Sequence, residues 1–548
     1  MNTLKAIKHT VSSVLFLLLC TMWLSGGTPF GAYSLYAQSG TAQQRTEEGA
    51  APEEPEVELP TVVLEYAAIK QQSIETELPA GDVIELPTIE ELLPEAGSIE
   101  VAAPDLMATR PQQIAETAPS PSAFFSEGVI GGGSDNHLIG DIALYKRGEL
   151  PLYQFRFSHE GIDGYGSNAA GTGYFDRREE LSGQVEFGNA LRKGTVNAEY
   201  SEVETGLQDF SLANSVIHRF IQGSGTYTRS FDSPFSFAMR TAAHNGSQLI
   251  GMQTEEEELY FDSRVSGIFE HARFYSSLSA GYRYQHTPED QQLHQARAEL
   301  LTMLYFNRFD IKAEVEAHWD TKNEFLFPWN LELDGVAGDF QYRLGGGYII
   351  EQILYKDLWN EYPLLDIAPE INIQHGWEAY ARVGYTPSSA FRVLVDTQWN
   401  LLQGIVAPAD LDTRDSTTGL FPFGLDERQL LDVQTLLNFF PNERVTLEAG
   451  WKGQLMDEVK PLQAEHLITG RIGYSNRTTG FGASFGGEFK LDELPEMRAQ
   501  LSYLLSEGIN IVLEGNDLLA PFYEDGRPWW GEYEQRGVNV TLKTEISL

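Results

Sequence analysis

The chain has 548 residues, with 79 acids against 38 basic residues, for a formal net charge of −41. Phosphate contacts need a basic surface, so this field excludes a general nucleic-acid binder. A single cysteine excludes an internal disulfide framework, and 30 Phe, 24 Tyr and 9 Trp exclude ordinary disorder.

Residues 1–37 read as a secretory signal peptide. Lys5 and Lys8 precede an apolar run from Thr10 to Leu24, and Leu35-Tyr36-Ala37 stands before Gln38 as a cleavage site. The run is short for a membrane span, although an uncleaved anchor helix is the alternative. Cys20 follows a leucine instead of the small residue a lipoprotein site would carry, so it leaves with the signal.

Residues 38–123 form an extended, acidic, proline-rich periplasmic tether. They hold 17 acids, only Arg45, Lys70 and Arg110 as basic residues, and ten prolines. Glu-Leu-Pro recurs at Glu58-Leu59-Pro60, Glu77-Leu78-Pro79 and Glu85-Leu86-Pro87. Each proline removes a donor and pushes its predecessor toward extended geometry, which disfavours a compact helical domain. A solvated spacer explains the composition. A docking strip is the sharper reading, since Thr61-Val62-Val63-Leu64 and Val83-Ile84 are suited to adding a strand to the sheet of a periplasmic protein.

From residue 124 to residue 548 the period is two. Ile311, Ala313, Val315, Ala317 and Trp319 alternate with Lys312, Glu314, Glu316, His318 and Asp320, so one face is apolar and the other polar. Comparable ladders run along Phe274–Tyr284, Trp377–Tyr385, Val393–Leu401, Val445–Trp451 and Phe481–Phe489. A soluble sandwich also alternates. Three features favour a membrane barrel: roughly ten-residue segments repeated more than twenty times, aromatics at ladder ends (Tyr284, Trp319, Tyr385, Tyr474), and charge along the polar face. The expected fold is all-β, a large transmembrane antiparallel β-barrel of about 22 strands in the outer membrane, with the lipid bilayer as its first partner.

Twenty-two candidate segments run from Ile139 onward, with a weaker one near Phe124 to Gly131, and this count contains a conflict. Long connections near 159–180, 203–218, 244–258 and 349–365 fall on one end. Those near 402–428 and 516–535 join them only if one segment between about 366 and 428 is miscounted. Twenty-two strands is the resulting expectation, with 24 the other.

The polar ladders supply the lumen-facing candidates Lys312, Glu314, Glu316, His318, Asp320, Arg392, Asp396, Gln398, Glu448 and Lys452. His318 and Asp320 with Glu314 and Glu316 lack the positioned third member that hydrolysis needs, so a wet wall is the better reading than an enzyme. Glu255–Glu258 reads as a solvated acidic loop before a cation site, because no ligand spacing is imposed. Gly131-Gly132-Gly133 and Gly345-Gly346-Gly347 mark turns or close approaches of strands. No cofactor is expected.

Near the C-terminus, Ile509-Asn510-Ile511-Val512-Leu513-Glu514-Gly515-Asn516-Asp517-Leu518-Leu519, Tyr523, Tyr533 and Arg536-Gly537 lead into a final strand. This resembles the end of a TonB-dependent receptor barrel, over less than a tenth of the chain. The arginine here precedes the glycine, and the last residue is Leu548 where that family customarily has an aromatic. The resemblance implies a 22-strand barrel that moves or admits a solute. The family's N-terminal plug exceeds a hundred residues, so the resemblance is to a plugless relative. Pro60-Thr61-Val62-Val63-Leu64 faintly resembles the box that TonB grips. The alternative is a membrane scaffold whose tether docks a periplasmic partner or a plug from another chain. Of the net charge, the signal contributes +2 and the tether −14, leaving −29 for loops and lumen, a field that favours cations.

Overall fold

A computed structural model describes residues 123–547, apart from 167, 252, 288–290, 323, 367–372, 410–412, 457–463, 492–493 and 523–527. The signal and nearly all of the tether lie outside the described residues.

Twenty-two strands form one antiparallel barrel. The first wall runs through β1 (Ala123–Gly133), β2 (Leu138–Arg147), β3 (Leu152–Asp163), β4 (Phe175–Asn189), β5 (Arg192–Gly206) and β6 (Ser215–Ser230). It continues with β7 (Phe235–Ile250), β8 (Gln253–His271), β9 (Phe274–Thr287), β10 (Gln291–Tyr305) and β11 (Phe309–Asp320). Then come β12 (Trp329–Ala337), β13 (Phe340–Gln352), β14 (Ile373–Ser388), β15 (Phe391–Pro408) and β16 (Phe421–Asn442). The circuit ends with β17 (Val445–Met456), β18 (His466–Asn476), β19 (Phe481–Lys490), β20 (Glu496–Ser506), β21 (Ile509–Asn516) and β22 (Asn539–Ser547). Closure comes from β1, which pairs with β2 on one side and with β22 on the other, Glu127 opposite Ser547 through Gly133 opposite Thr541. Closing the sheet leaves no edge, which a strand structure in lipid requires.

The connections sort by length between the two ends, with 134–137, 251–252 and 288–290 the short ones on the long-loop side. Ten turns of two to four residues, from 148–151 to 507–508, lie at one end. The longer connections, including 164–174, 207–214, 353–372, 409–420 and 517–538, all lie at the other. In outer-membrane barrels short turns face the periplasm and long loops face outside. The parity conflict resolves by correction: Phe124 to Gly131 belongs to a true strand, and one fewer strand follows Ile139 than the alternation suggests. Between 366 and 428 only β14, β15 and the start of β16 contribute to the wall. The apolar stretches in the flanking long connections mimic strands because they pack inside the mouth.

Alternation sets the two faces. Leu278 is 65% exposed and Ile130 64%, and with Val315, Leu331, Phe485 and Leu542 they coat the outside. Aromatic contacts mark the rims: Trp329 meets Trp377 at 6.1 Å near the long-loop end, and Phe340 stacks on Tyr385 at 4.5 Å near the turns. Trp377 and Tyr385 are eight residues apart on β14. At ~3.4 Å per residue and a tilt near 40°, that is roughly 20 Å along the membrane normal, close to the height of an apolar band. Leu278→Arg is expected to cost about 2–4 kcal/mol of folding free energy in lipid vesicles, read by urea titration; an unchanged midpoint would refute the lipid-facing assignment.

The glycine triplets sit in strands. A Cβ on Gly133 would lie 2.4 Å from the Val540 carbonyl oxygen, and one on Gly347 1.8 Å from that of Trp329. Close approach of neighbouring strands accounts for both.

Candidate functional site

The long-loop end is filled by its own connections. Helix α1 (Tyr355–Glu361), inside the 353–372 connection, brings Tyr355, Leu358 and Trp359 into a buried cluster. Tyr362, Leu364 and Leu365 follow from the same loop, Leu207 and Leu420 from two others, and Trp530 and Tyr533 from the last. Val216 and Phe220 of β6 and Phe421 of β16 supply the wall. Large apolar side chains in connecting loops have no lipid to face, so they bury against one another across the mouth.

Polar contacts latch this core to the inner wall. The Glu258 carboxylate, fully buried on β8, accepts from His244 Nε2 at 2.8 Å, Gln285 Nε2 at 2.5 Å and the Tyr355 backbone N–H at 3.2 Å. Gln248 Nε2 donates to the Leu365 carbonyl at 3.2 Å, and Lys356 Nζ reaches Glu199 and Gln222, each at 3.0 Å. His218 stacks on Trp359 with centroids 4.9 Å apart. Elsewhere Gln208 clamps Glu534 through both backbone groups, at 2.8 Å each way. Tyr533 donates to the Gly419 carbonyl at 2.8 Å, and Arg414 pairs with Glu532 at 3.3 Å.

Burial pushes the Tyr533 phenol up to about 12, against the pull of the Arg414 guanidinium. Burial also raises Tyr165 and Tyr362, which lie in two more of these loops. A phenol held neutral by folding contributes stability that is present below its unfolded pKa of about 10 and is lost as pH rises through the folded value. The loop core is therefore expected to open between about pH 10 and 12, seen as a rise in acrylamide quenching of tryptophan. Tyr533→Phe should move that rise to higher pH, and no difference between the two proteins would exclude the phenol from the core's closure.

Beneath the loops lies a cavity of about 510 Å³. Arg178, Arg498 and Glu160 line it from the wall, and Arg536, Trp359 and Trp529 from the long connections. Arg536 pairs with Asp176 at 2.9 Å and with Glu160 at 3.7 Å, so the cavity carries both signs.

The sequence-derived lumen candidates occupy the face opposite Val315 and Trp319. Lys312 pairs with Glu314 at 3.4 Å, and His318 lies 3.1 Å from Glu316 and 3.5 Å from Asp320, with His318 and Asp320 both buried. Asp396 pairs with Arg382, and Gln398 donates to Glu378 at 2.8 Å. Glu448 stands opposite Arg471, Lys452 opposite Gln434, and Arg392 opposite Asn438. These residues occupy two separate stretches of wall and do not converge on one point. Thr61, Val62, Val63, Leu64, Val83 and Ile84 lie outside the described residues. Among the described residues no group of three or more His, Cys, Asp or Glu is placed to hold a metal ion.

Sequence reasoning missed Glu258 and the loop core. Glu258 looked like part of a solvated acidic run, but β7 and β8 extend past the band and turn it inward. Trp359 and Trp529-Trp530, large aromatics inside long connections, were the available signal.

No family model matches the chain, and no curated protein matches it in sequence. Solved structures do match its fold. The siderophore receptor PirA from Acinetobacter baumannii aligns with a TM-score of 0.57 at 9% identity, over 78% of this chain and 80% of that one. The copper transporter OprC gives 0.58 at 8%, over 78% and 84%. The FrpB iron transporter from Neisseria meningitidis gives 0.58 at 9%, over 78% and 83%. At such identities the likeness is one of fold. With the closed barrel and its apolar exterior, it makes this chain an outer-membrane β-barrel.

Proposed function

We propose that the chain is an outer-membrane conduit for a solute, resembling a TonB-dependent receptor barrel, whose infolded outer loops close its mouth. The observation that carries this reading is the aromatic loop core seated over a polar lumen. A barrel serving only as an anchor has no use for a wet, charged interior beneath a latched cover. In this reading the loops take the place of a separate plug domain, and Lys312, Glu314, Glu316, His318, Asp320, Arg392, Asp396, Gln398, Glu448 and Lys452 belong to the wetted wall. An interior with excess acid makes any ion leak cation-preferring. Strand β1 begins at the short-turn end, which supports residues 38–123 acting as a tether on the periplasmic side, available to a partner there.

Proteoliposome swelling tests the proposal. Vesicles carrying the protein with residues 354–371 replaced by Gly-Ser-Gly-Ser should swell in an isosmotic small neutral sugar, and vesicles with the intact chain should not. If neither swells, solute passage is lost and the anchoring scaffold takes its place.

A further inference from the structure

One stretch of the inner wall differs in chemistry from the rest. Between β8 and β15 the inward side chains are largely cross-strand ion pairs, such as Arg297–Asp262 at 2.7 Å, Arg264–Glu299 at 2.6 Å and Arg343–Asp334 at 3.0 Å. From β1 to β6 a single register row reads Phe125, Tyr145, Gln154, Gln184, Asn197 and Ser224, each directly opposite the next. The row is uncharged throughout. Six neighbouring strands at ~4.8 Å spacing make it about 24 Å long.

The charges bordering this row are mostly neutralised by partners outside it. Arg156 pairs with Asp141 at 2.7 Å, Glu186 with Lys193 at 2.8 Å, and Glu199 with Lys356 at 3.0 Å. Arg240, one register row toward the short turns, is the flanking charge without a partner among the described residues. Within the row, Asn197 Nδ2 donates to Ser224 Oγ at 3.2 Å, which leaves its carbonyl oxygen free. Among the described residues the Gln154 and Gln184 amides take no hydrogen-bond partner. Both line a cavity of about 410 Å³ with Asn197 and Ser224, and Glu199 and Arg240 stand at its margins. At the far end Tyr145 stacks on Phe125, centroids 5.4 Å apart and planes 15° apart, with Arg147 over both rings and Glu127 accepting the phenol proton.

We propose that this row is a subsite for a neutral, polyhydroxylated solute, an uncharged oligosaccharide. An amide offers a donor and an acceptor side by side, which suits hydroxyls that do both. The aromatic pair offers apolar surface to the C–H faces of a sugar ring. A cationic solute finds the neighbouring acids already paired, and an anionic one finds only Arg240 unpaired among the described residues, so little compensates the desolvation of either. Lys356 of α1 bonds Gln222 from above, which puts the subsite directly under the loop cover. The inference rests on reading the chain as a conduit.

Isothermal titration of the full-length protein, and of the chain with residues 354–371 replaced, in a detergent without a sugar headgroup is the test. The probes are maltotriose, cellotriose and triacetylchitotriose, with trigalacturonate as the charged comparison. At least one neutral trisaccharide should bind, with a Kd that changes less than about twofold between 50 and 500 mM salt, since no charge is engaged. The double substitution Gln184→Ala with Asn197→Ala should raise that Kd about tenfold, the loss of one to two hydrogen bonds. Ser502→Ala, on another part of the wall, should leave it unchanged, and heat-modifiable gel migration confirms that each variant is folded. Binding of trigalacturonate alone, no binding by any neutral probe, or wild-type affinity in the double variant overturns the subsite. Swelling of vesicles with the loop-replaced protein would then still stand, so loss of the subsite and loss of the conduit are separable.

Discussion

Replacing residues 354–371 with Gly-Ser-Gly-Ser should convert a closed barrel into a conducting one, raising single-channel conductance in planar bilayers by about tenfold or more, as expected when a constriction is removed. The replaced segment supplies Tyr355, Leu358, Trp359, Tyr362, Leu364 and Leu365, six of the thirteen members of the buried loop cluster. Removing them also removes the acceptor at Leu365 and the donor at Tyr355 through which the wall holds the loop. The strands it joins, β13 and β14, pair directly from Phe340 opposite Tyr385 to Gln352 opposite Ile373. Neighbouring strands are only ~4.8 Å apart, so a four-residue linker closes the gap without strain. The barrel should survive, because its stability lies in a continuous ladder of backbone pairs that the loop does not touch. A trace as silent as that of the intact chain would mean that something other than this loop closes the pore.

Glu258→Ala should act through the same cover from the wall side. His244 Nε2, Gln285 Nε2 and the Tyr355 N–H would lose their shared acceptor. Removing one side of a buried charged cluster costs about 3–5 kcal/mol because the remaining groups stay dry and unpaired. Applied to the closed loop, that shifts its opening equilibrium by roughly 10²- to 10⁴-fold. Limited proteolysis of the intact, folded protein is the measurement: the 353–372 connection should be cut quickly in Glu258→Ala and slowly in wild type. Glu258→Gln, which keeps one acceptor oxygen, should fall between them. Equal protection in all three proteins would show that the aromatic packing alone holds the loop, with the carboxylate as a bystander.

Much of this architecture is legible in the residues read one after another. The ladder from Ile311 to Trp319 states which side chains meet lipid, and its partners from Lys312 to Asp320 state which meet water. Repeating that reading along the chain yields the barrel, and the parity of long and short connections narrows its strand total to 22 or 24. The miscount between 366 and 428 shows the limit. Apolar residues such as Leu364, Leu365 and Leu420 look like wall strand, and only their burial in the loop core explains them.

By itself, then, the sequence determined the fold class and the two faces of each strand, and left the strand total between 22 and 24, because a period of two is a local property carried by adjacent residues. Tertiary structure alone decided how the mouth is closed and which polar residues stand together. Glu258 meets Tyr355 across 97 positions, Tyr533 meets Gly419 across 114, and Gln208 meets Glu534 across 326. The row from Phe125 to Ser224 exists only because register sets six separate strands at one height. Contacts at such separations follow from closing the sheet into a ring, which brings walls and loops together around a common axis, and no local pattern records that.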